Sequence, residues 1–105
     1  MDLGVIQSKI GAGEYEVSRH AEVEREHDNL SLAQVKEAIQ NGRIIEQNPD
    51  TGRGESCLVA GMSGTTPVHV VCGMRGANVV FITIYIPSLP KFVDPFTRAR
   101  KSGGP

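Results

Sequence analysis

The sequence predicts an α+β fold: two to three N-terminal helices followed by a four-stranded antiparallel β-meander. Three observations carry this. Apolar residues recur at helical spacing only before Gly42. Runs rich in β-branched residues, separated by short turn clusters, fill the stretch after it. And Pro67 to Pro87, PVHVVCGMRGANVVFITIYIP, reads as two strands joined by a tight turn. Strands that follow one another through short turns pair antiparallel, and helices that precede them pack on one face of the sheet.

The chain of 105 residues predicts a single domain over 1–105, large enough for one core. Its helical part is expected over about 2–42, its sheet over about 43–87, and an irregular basic tail over 88–105. In the first part, Leu3, Ile6 and Ile10 are helically spaced, with Asp2 as N-cap and Gly11 and Gly13 as terminators. Tyr15-Glu16-Val17 is too short to assign and runs extended into Ser18, an N-cap for the next helix. That helix, Arg19 to about His27, has only Ala21 and Val23 as apolar residues. Asp28-Asn29 breaks it. Ser31 and Gln34 then form a capping box, and Leu32, Val35, Ala38 and Ile39 make a buried stripe ending at Gly42.

Arg43 to Gln47 reads as the first main strand. Asn48 to Gly54 is a dense turn cluster, and Ser56 to Ala60 is the second strand. In the hairpin that follows, alternation assigns faces. Val68, Val70 and Cys72, with Val80, Ile82, Ile84 and Ile86, form the expected core face. His69, Val71 and Gly73, with Val79, Phe81, Thr83 and Tyr85, face the other way. Matching core to core asks for a three-residue loop, since a two- or four-residue loop swaps the faces. This register places an imidazole, a hydroxyl and a phenol on one wall of the sheet.

Net charge is −1, unevenly spread: residues 1–55 hold six Lys/Arg against eleven Asp/Glu, and residues 56–105 hold five against one. The basic half contains the hairpin and the tail, an asymmetry that suits a polyanion-facing surface as well as ordinary solvated faces. No apolar run reaches membrane-spanning length and no secretory pattern opens the chain, so a cytoplasmic protein is expected. Cys57 and Cys72 read as two buried thiols rather than a disulfide or a zinc site.

Several residues are candidates for chemistry. His20, Glu24 and His27 form a helical stripe; the spacing suits a metal, but equally the i,i+4 pairs of a solvated face. The second reading is preferred, and neither metal nor cofactor is predicted. His69 gains interest from Thr83 and Tyr85 beside it. Arg53, in the Gly52-Arg53-Gly54 loop, and Arg98 and Arg100 in the tail are candidate phosphate contacts.

Tyr15-Glu16-Val17-Ser18-Arg19-His20-Ala21, Leu30-Ser31, Asn41-Gly42 and Ile44-Ile45-Glu46 resemble the first half of a bacterial family. Ser56-Cys57-Leu58-Val59, Pro67-Val68-His69-Val70-Val71 and Ile82-Thr83-Ile84-Tyr85-Ile86-Pro87 resemble its second half. It is the domain-of-unknown-function 4258 family, similar in fold to RelE-type toxins, and the resemblance runs from about Tyr15 to Arg100. It implies a small RelE/barnase-like ribonuclease fold. It also implies a toxin role, with an antitoxin of zinc-finger or helix-turn-helix type as partner and RNA as substrate. The positions it singles out are His20, His69, Thr83, Tyr85 and Arg98. The chain departs from the family pattern at Glu24, where many members carry Arg. It departs again at Gln47 and Gly54, where an aromatic and a Pro are common, and at Phe92, where Trp is. The alternative function is a non-catalytic module that binds protein or RNA through the same polar wall.

Overall fold

The computed structural model describes residues 1–88 and 92–98. Three helices, α1 (Leu3–Gly11), α2 (Arg19–His27) and α3 (Leu32–Gln40), precede the main sheet. Each begins as its sequence predicts. Asp2, Ser18 and Ser31 accept from the backbone N–H groups of Val5, Ala21 and Gln34, and Ser31 with Gln34 completes a capping box. These bonds satisfy amide groups that have no partner within the helix.

The strands are β1 (Tyr15–Val17), β2 (Arg43–Asn48), β3 (Ser56–Ser63), β4 (Thr66–Arg75), β5 (Asn78–Tyr85), β6 (Phe92–Asp94) and β7 (Thr97–Arg98). The main sheet has five strands in the order β1-β5-β4-β3-β2, and β6 and β7 form a separate two-stranded unit. The predicted antiparallel meander is present as β2 to β5. It is extended by β1, which pairs parallel with β5, so the sheet is mixed rather than four-stranded and antiparallel. Three residues suffice here because β1 lies along an edge already formed by a long hairpin. The tail read as irregular contains the β6–β7 hairpin. Arg100 lies outside the described residues. Among those residues no helix is long and apolar enough to cross a membrane.

The helices lie on one face of the sheet. The core joins Ile6, Ile10, Ala21, Leu30, Val35, Ala38 and Ile39 to Cys57, Val59, Val68, Val70, Cys72, Val79, Phe81 and Ile84. Helix α3 approaches β3 so closely that a Cβ on Gly61 would lie 1.8 Å from the Ala38 carbonyl oxygen. Only glycine fits at that crossing.

The sequence-read faces of the hairpin hold for β4 and for the outer end of β5, and fail near the turn. The loop is two residues, Gly76 and Ala77, between the paired Arg75 and Asn78. Gly76 takes the positive φ of 59° that the first residue of such a loop needs. A two-residue loop swaps the faces, and a β-bulge swaps them back: Val71 pairs with Thr83 but Cys72 with Phe81, leaving Ile82 extra. Val79 and Phe81 are therefore buried in the helical core, while Ile82, expected there, is 39% exposed on the other face. Ser18 holds the bulge. Its hydroxyl donates to the Ile82 carbonyl at 3.0 Å and its amide to the Phe81 carbonyl at 3.0 Å.

A bulge in β2 does similar work. Ile44 pairs with Val59 and Glu46 with Leu58, so Ile45 is the extra residue. Without it, Arg43 and Glu46 would point to opposite faces. With it, both stand on the face away from the helices, beside Ala60 and Leu58.

Beyond β1, the edge of β5 is closed by α2. Glu24 accepts from the Ile84 amide at 3.2 Å and Asp28 from the Ile86 amide at 3.1 Å. Carboxylates one turn apart on the helix thus match amides two residues apart on the strand.

Candidate active site on the open face of the sheet

Alternation along β4 and β5 brings His69 opposite Tyr85, and Val71 opposite Thr83, on the face away from the helices. His69 is fully buried there. Its Nε2 is hydrogen-bonded to the Pro95 carbonyl in the β6–β7 turn, and its Nδ1 lies 3.3 Å from the Tyr85 hydroxyl. A carbonyl only accepts, so the network assigns the proton to Nε2, and Nδ1 is left to accept from the phenol. Burial lowers the His69 pKa and outweighs the raising effect of the Pro95 carbonyl and Glu46. The ring is therefore neutral at physiological pH. Burial likewise raises the Tyr85 pKa, so the half-buried phenol keeps its proton.

The same face carries an ion pair. Arg98 of β7 holds Glu46 of β2 through two hydrogen bonds, from Nε to Oε2 and from Nη2 to Oε1, the latter at 2.9 Å. The guanidinium keeps the Glu46 carboxyl below its ordinary range. The charges of both Glu46 and Arg98 are felt at His69 and at Tyr85, which makes the four side chains one electrostatic cluster. Arg43 adds a further cation, 4.4 Å above the Phe96 ring. The β6–β7 hairpin thus lies over the sheet, pinned at Pro95, Phe96 and Arg98.

The structure joins some predicted residues and separates others. His69, Tyr85 and Arg98 meet, and Thr83 stands two residues from Tyr85 on the same wall. His20 does not join them. It sits on α2, with its side chain 68% exposed, and pairs with Glu24 at 3.1 Å. His27 pairs instead with Asp28 at 3.4 Å, so the helical stripe is split into two pairs. Among the described residues no three His, Cys, Asp or Glu side chains come together as a metal site. Arg25, next to Glu24, donates to the Leu30 carbonyl at 2.7 Å and fastens the α2–α3 turn. Arg53 is exposed in the β2–β3 loop.

Glu46 and Arg43 escaped the reading of the sequence, because strict alternation separates positions 43 and 46. Only the bulge unites them, and an Ile-Ile-Glu run carries no signal for one. Both cysteines are buried, as expected. They pair directly across β3 and β4; burial pushes the Cys57 thiol up to about 11 and that of Cys72 higher still.

A family model described as a domain of unknown function (DUF4258) matches residues 17–86. That is two thirds of the chain, and the chain belongs to this family. The matched span contains Glu46, His69, Thr83 and Tyr85, and leaves out α1 and the β6–β7 hairpin with Arg98. No curated protein and no solved structure matches the chain.

Proposed function

We propose that this protein is a metal-independent endoribonuclease of the toxin type, acting on the open face of its sheet. The observation that carries the reading is the joining of a Glu46–Arg98 ion pair to a Tyr85–His69 hydrogen-bonded pair. Cleavage of RNA by its own 2′-hydroxyl needs a base, an acid and a cation, and no metal. The Glu46 carboxylate, kept ionised by Arg98, takes the proton of the 2′-OH. The 2′-oxygen bonds to phosphorus, and the bond from phosphorus to the 5′-oxygen breaks. The Tyr85 hydroxyl turns its proton from His69 Nδ1 to that leaving oxygen and protonates it, giving a 2′,3′-cyclic phosphate and a 5′-hydroxyl. Arg98 and Arg43 stabilise the charge gathering on the phosphoryl oxygens. His69 acts through Tyr85 as a positioning residue, since burial keeps its own ring from RNA. Thr83 lines the approach.

The resemblance to RelE-type toxins supports this reading, as does a meander with helices on one side and polar residues on the other. The same resemblance proposes a small antitoxin of zinc-finger or helix-turn-helix type as partner. Induced expression in a bacterium should arrest growth, and RNA from the arrested cells should carry new cyclic-phosphate ends. Growth without new ends contradicts the proposal.

A second reading is favoured by one observation: both ring nitrogens of His69 are occupied beneath the β6–β7 turn. A face so closed suits a module that binds RNA or protein without cutting. It predicts RNA binding by the parent with no cleavage, and Tyr85→Phe then alters affinity alone.

A further inference from the structure

Four residues along β4 from His69, about 13 Å at strand spacing, the open face runs into a cleft of about 250 Å³. Its floor is Gly73, Val80 and Ile82, and its walls include Arg53, Arg75 and Glu55. We propose that this cleft is a nucleotide subsite, which holds one base and its phosphate of a single-stranded RNA extending from Tyr85. The proposal rests on the ribonuclease reading for the direction of the strand, but not for the chemistry of the cleft.

The floor is apolar. The Ile82 side chain lies against Gly73, where an added Cβ would meet Ile82 Cδ1 at 2.8 Å. An aliphatic floor contacts the face of a base and reads none of its edge groups, so the subsite is tolerant of sequence. The β5 bulge is what turns Ile82 outward to make the floor. The arginines stand where a phosphate would follow. Asp50 cinches their loop by accepting from the Gly52 and Gly54 amides at 2.8 and 3.0 Å, and Arg53 between them is presented to the cleft. Among the described residues Arg53 has no hydrogen-bond or ion-pair partner. Arg75 pairs with Glu16 at 3.3 Å, with its side chain 75% exposed; a pair so solvated yields readily to a phosphate. The one carboxylate in the wall, Glu55, lies 3.6 Å from the N-terminal ammonium, which offsets its charge. Guanidinium groups over an apolar floor match the two halves of a nucleotide, as positioning contacts to phosphate do elsewhere.

The test is fluorescence anisotropy with a fluorescein-labelled 2′-O-methyl oligouridylate, which cannot be cleaved through its 2′-oxygen. Arg53→Ala and Arg75→Ala should each weaken binding by about three- to tenfold, and each should lower the salt slope by about one. Arg53→Lys should restore most of the affinity. Unchanged affinity and slope in both alanine variants overturn the subsite. If those variants bind as the parent does while the parent still cleaves RNA, the subsite falls and the ribonuclease stands. If the parent cleaves nothing but loses affinity in both variants, the subsite stands and the ribonuclease falls. A parent that does not bind the oligonucleotide overturns the subsite outright.

Discussion

In the proposed mechanism Tyr85 is the acid, and His69 holds its hydroxyl oxygen in place. A neutral imidazole with its proton on Nε2 offers Nδ1 to the phenol as an acceptor. The charge state of His69 also couples to stability. Its folded pKa lies below the ordinary value of about 6.5, so the unfolded chain takes up a proton more readily than the folded one. Stability is unaffected above that pH and falls as acidification proceeds below it. Denaturant unfolding followed between about pH 7 and pH 5 should therefore show a decline that is flattened in His69→Gln. The exposed His20 and His27 are present in both proteins, so the difference isolates His69. Glu46 contributes in another window. Its carboxyl is lowered, so its stabilisation is present above the ordinary carboxylate range of about 4 and is lost only as pH falls through the lower folded value. An equal decline in both proteins contradicts a neutral buried imidazole. Of the site, the sequence made His69, Thr83 and Tyr85 legible because the aliphatic residues alternating with them mark their shared face, even though a bulge is needed to bring the strands into that register. Glu46 was hidden because its place on the face depends on one extra residue in β2. That His20 lies apart from the site was not legible, because helical spacing cannot tell which layer a helix will join.

Helix α2 shows what Glu24 does in this fold. Its carboxylate, with that of Asp28, closes the edge of β5, a backbone that would otherwise present bare amides. Glu24→Ala should leave the Ile84 amide without a partner and cost about 1–3 kcal/mol. Glu24→Gln keeps an accepting oxygen and should cost less than half as much. Equal losses, measured by urea unfolding, would mean that charge rather than the hydrogen bond matters. The crossing of α3 over β3 makes a sharper demand. Gly61→Ala drives a methyl into the Ala38 carbonyl and should cost at least the upper end of the roughly 1–3 kcal/mol typical of overpacking. Gly11→Ala, at the end of α1 with open space around it, should instead gain about 0.5–1 kcal/mol. If Gly61→Ala is neutral, α3 does not sit on the sheet as described. At this scale the helices and the four long strands were legible, because caps and periodicity act locally. The bulges and β1 were not, since each depends on a partner strand remote in sequence.

The molecule divides its labour between two faces of one sheet. The helical face supplies the core; the open face carries the Glu46, Tyr85 and Arg98 cluster, with the Arg53 and Arg75 cleft further along the same strands. Both halves of the chain supply the cations of this face, Arg43 and Arg53 from the first and Arg75 and Arg98 from the second. The β6–β7 hairpin lies outside the family's matched span yet contributes Arg98 and the Pro95 carbonyl. In the proposed mechanism Glu46, His69 and Tyr85, inside the matched span, act with a cation from β7, outside it. The most direct test is single-turnover cleavage of a labelled RNA by the purified protein in excess EDTA, with Tyr85→Phe and Glu46→Gln measured beside it and folding checked by circular dichroism. The account predicts cleavage by the parent that EDTA does not diminish. It also predicts a fall of about 10²–10⁴-fold in each variant, with both still folded. A folded parent that leaves the RNA intact, or variants that cut at the parental rate, would contradict it.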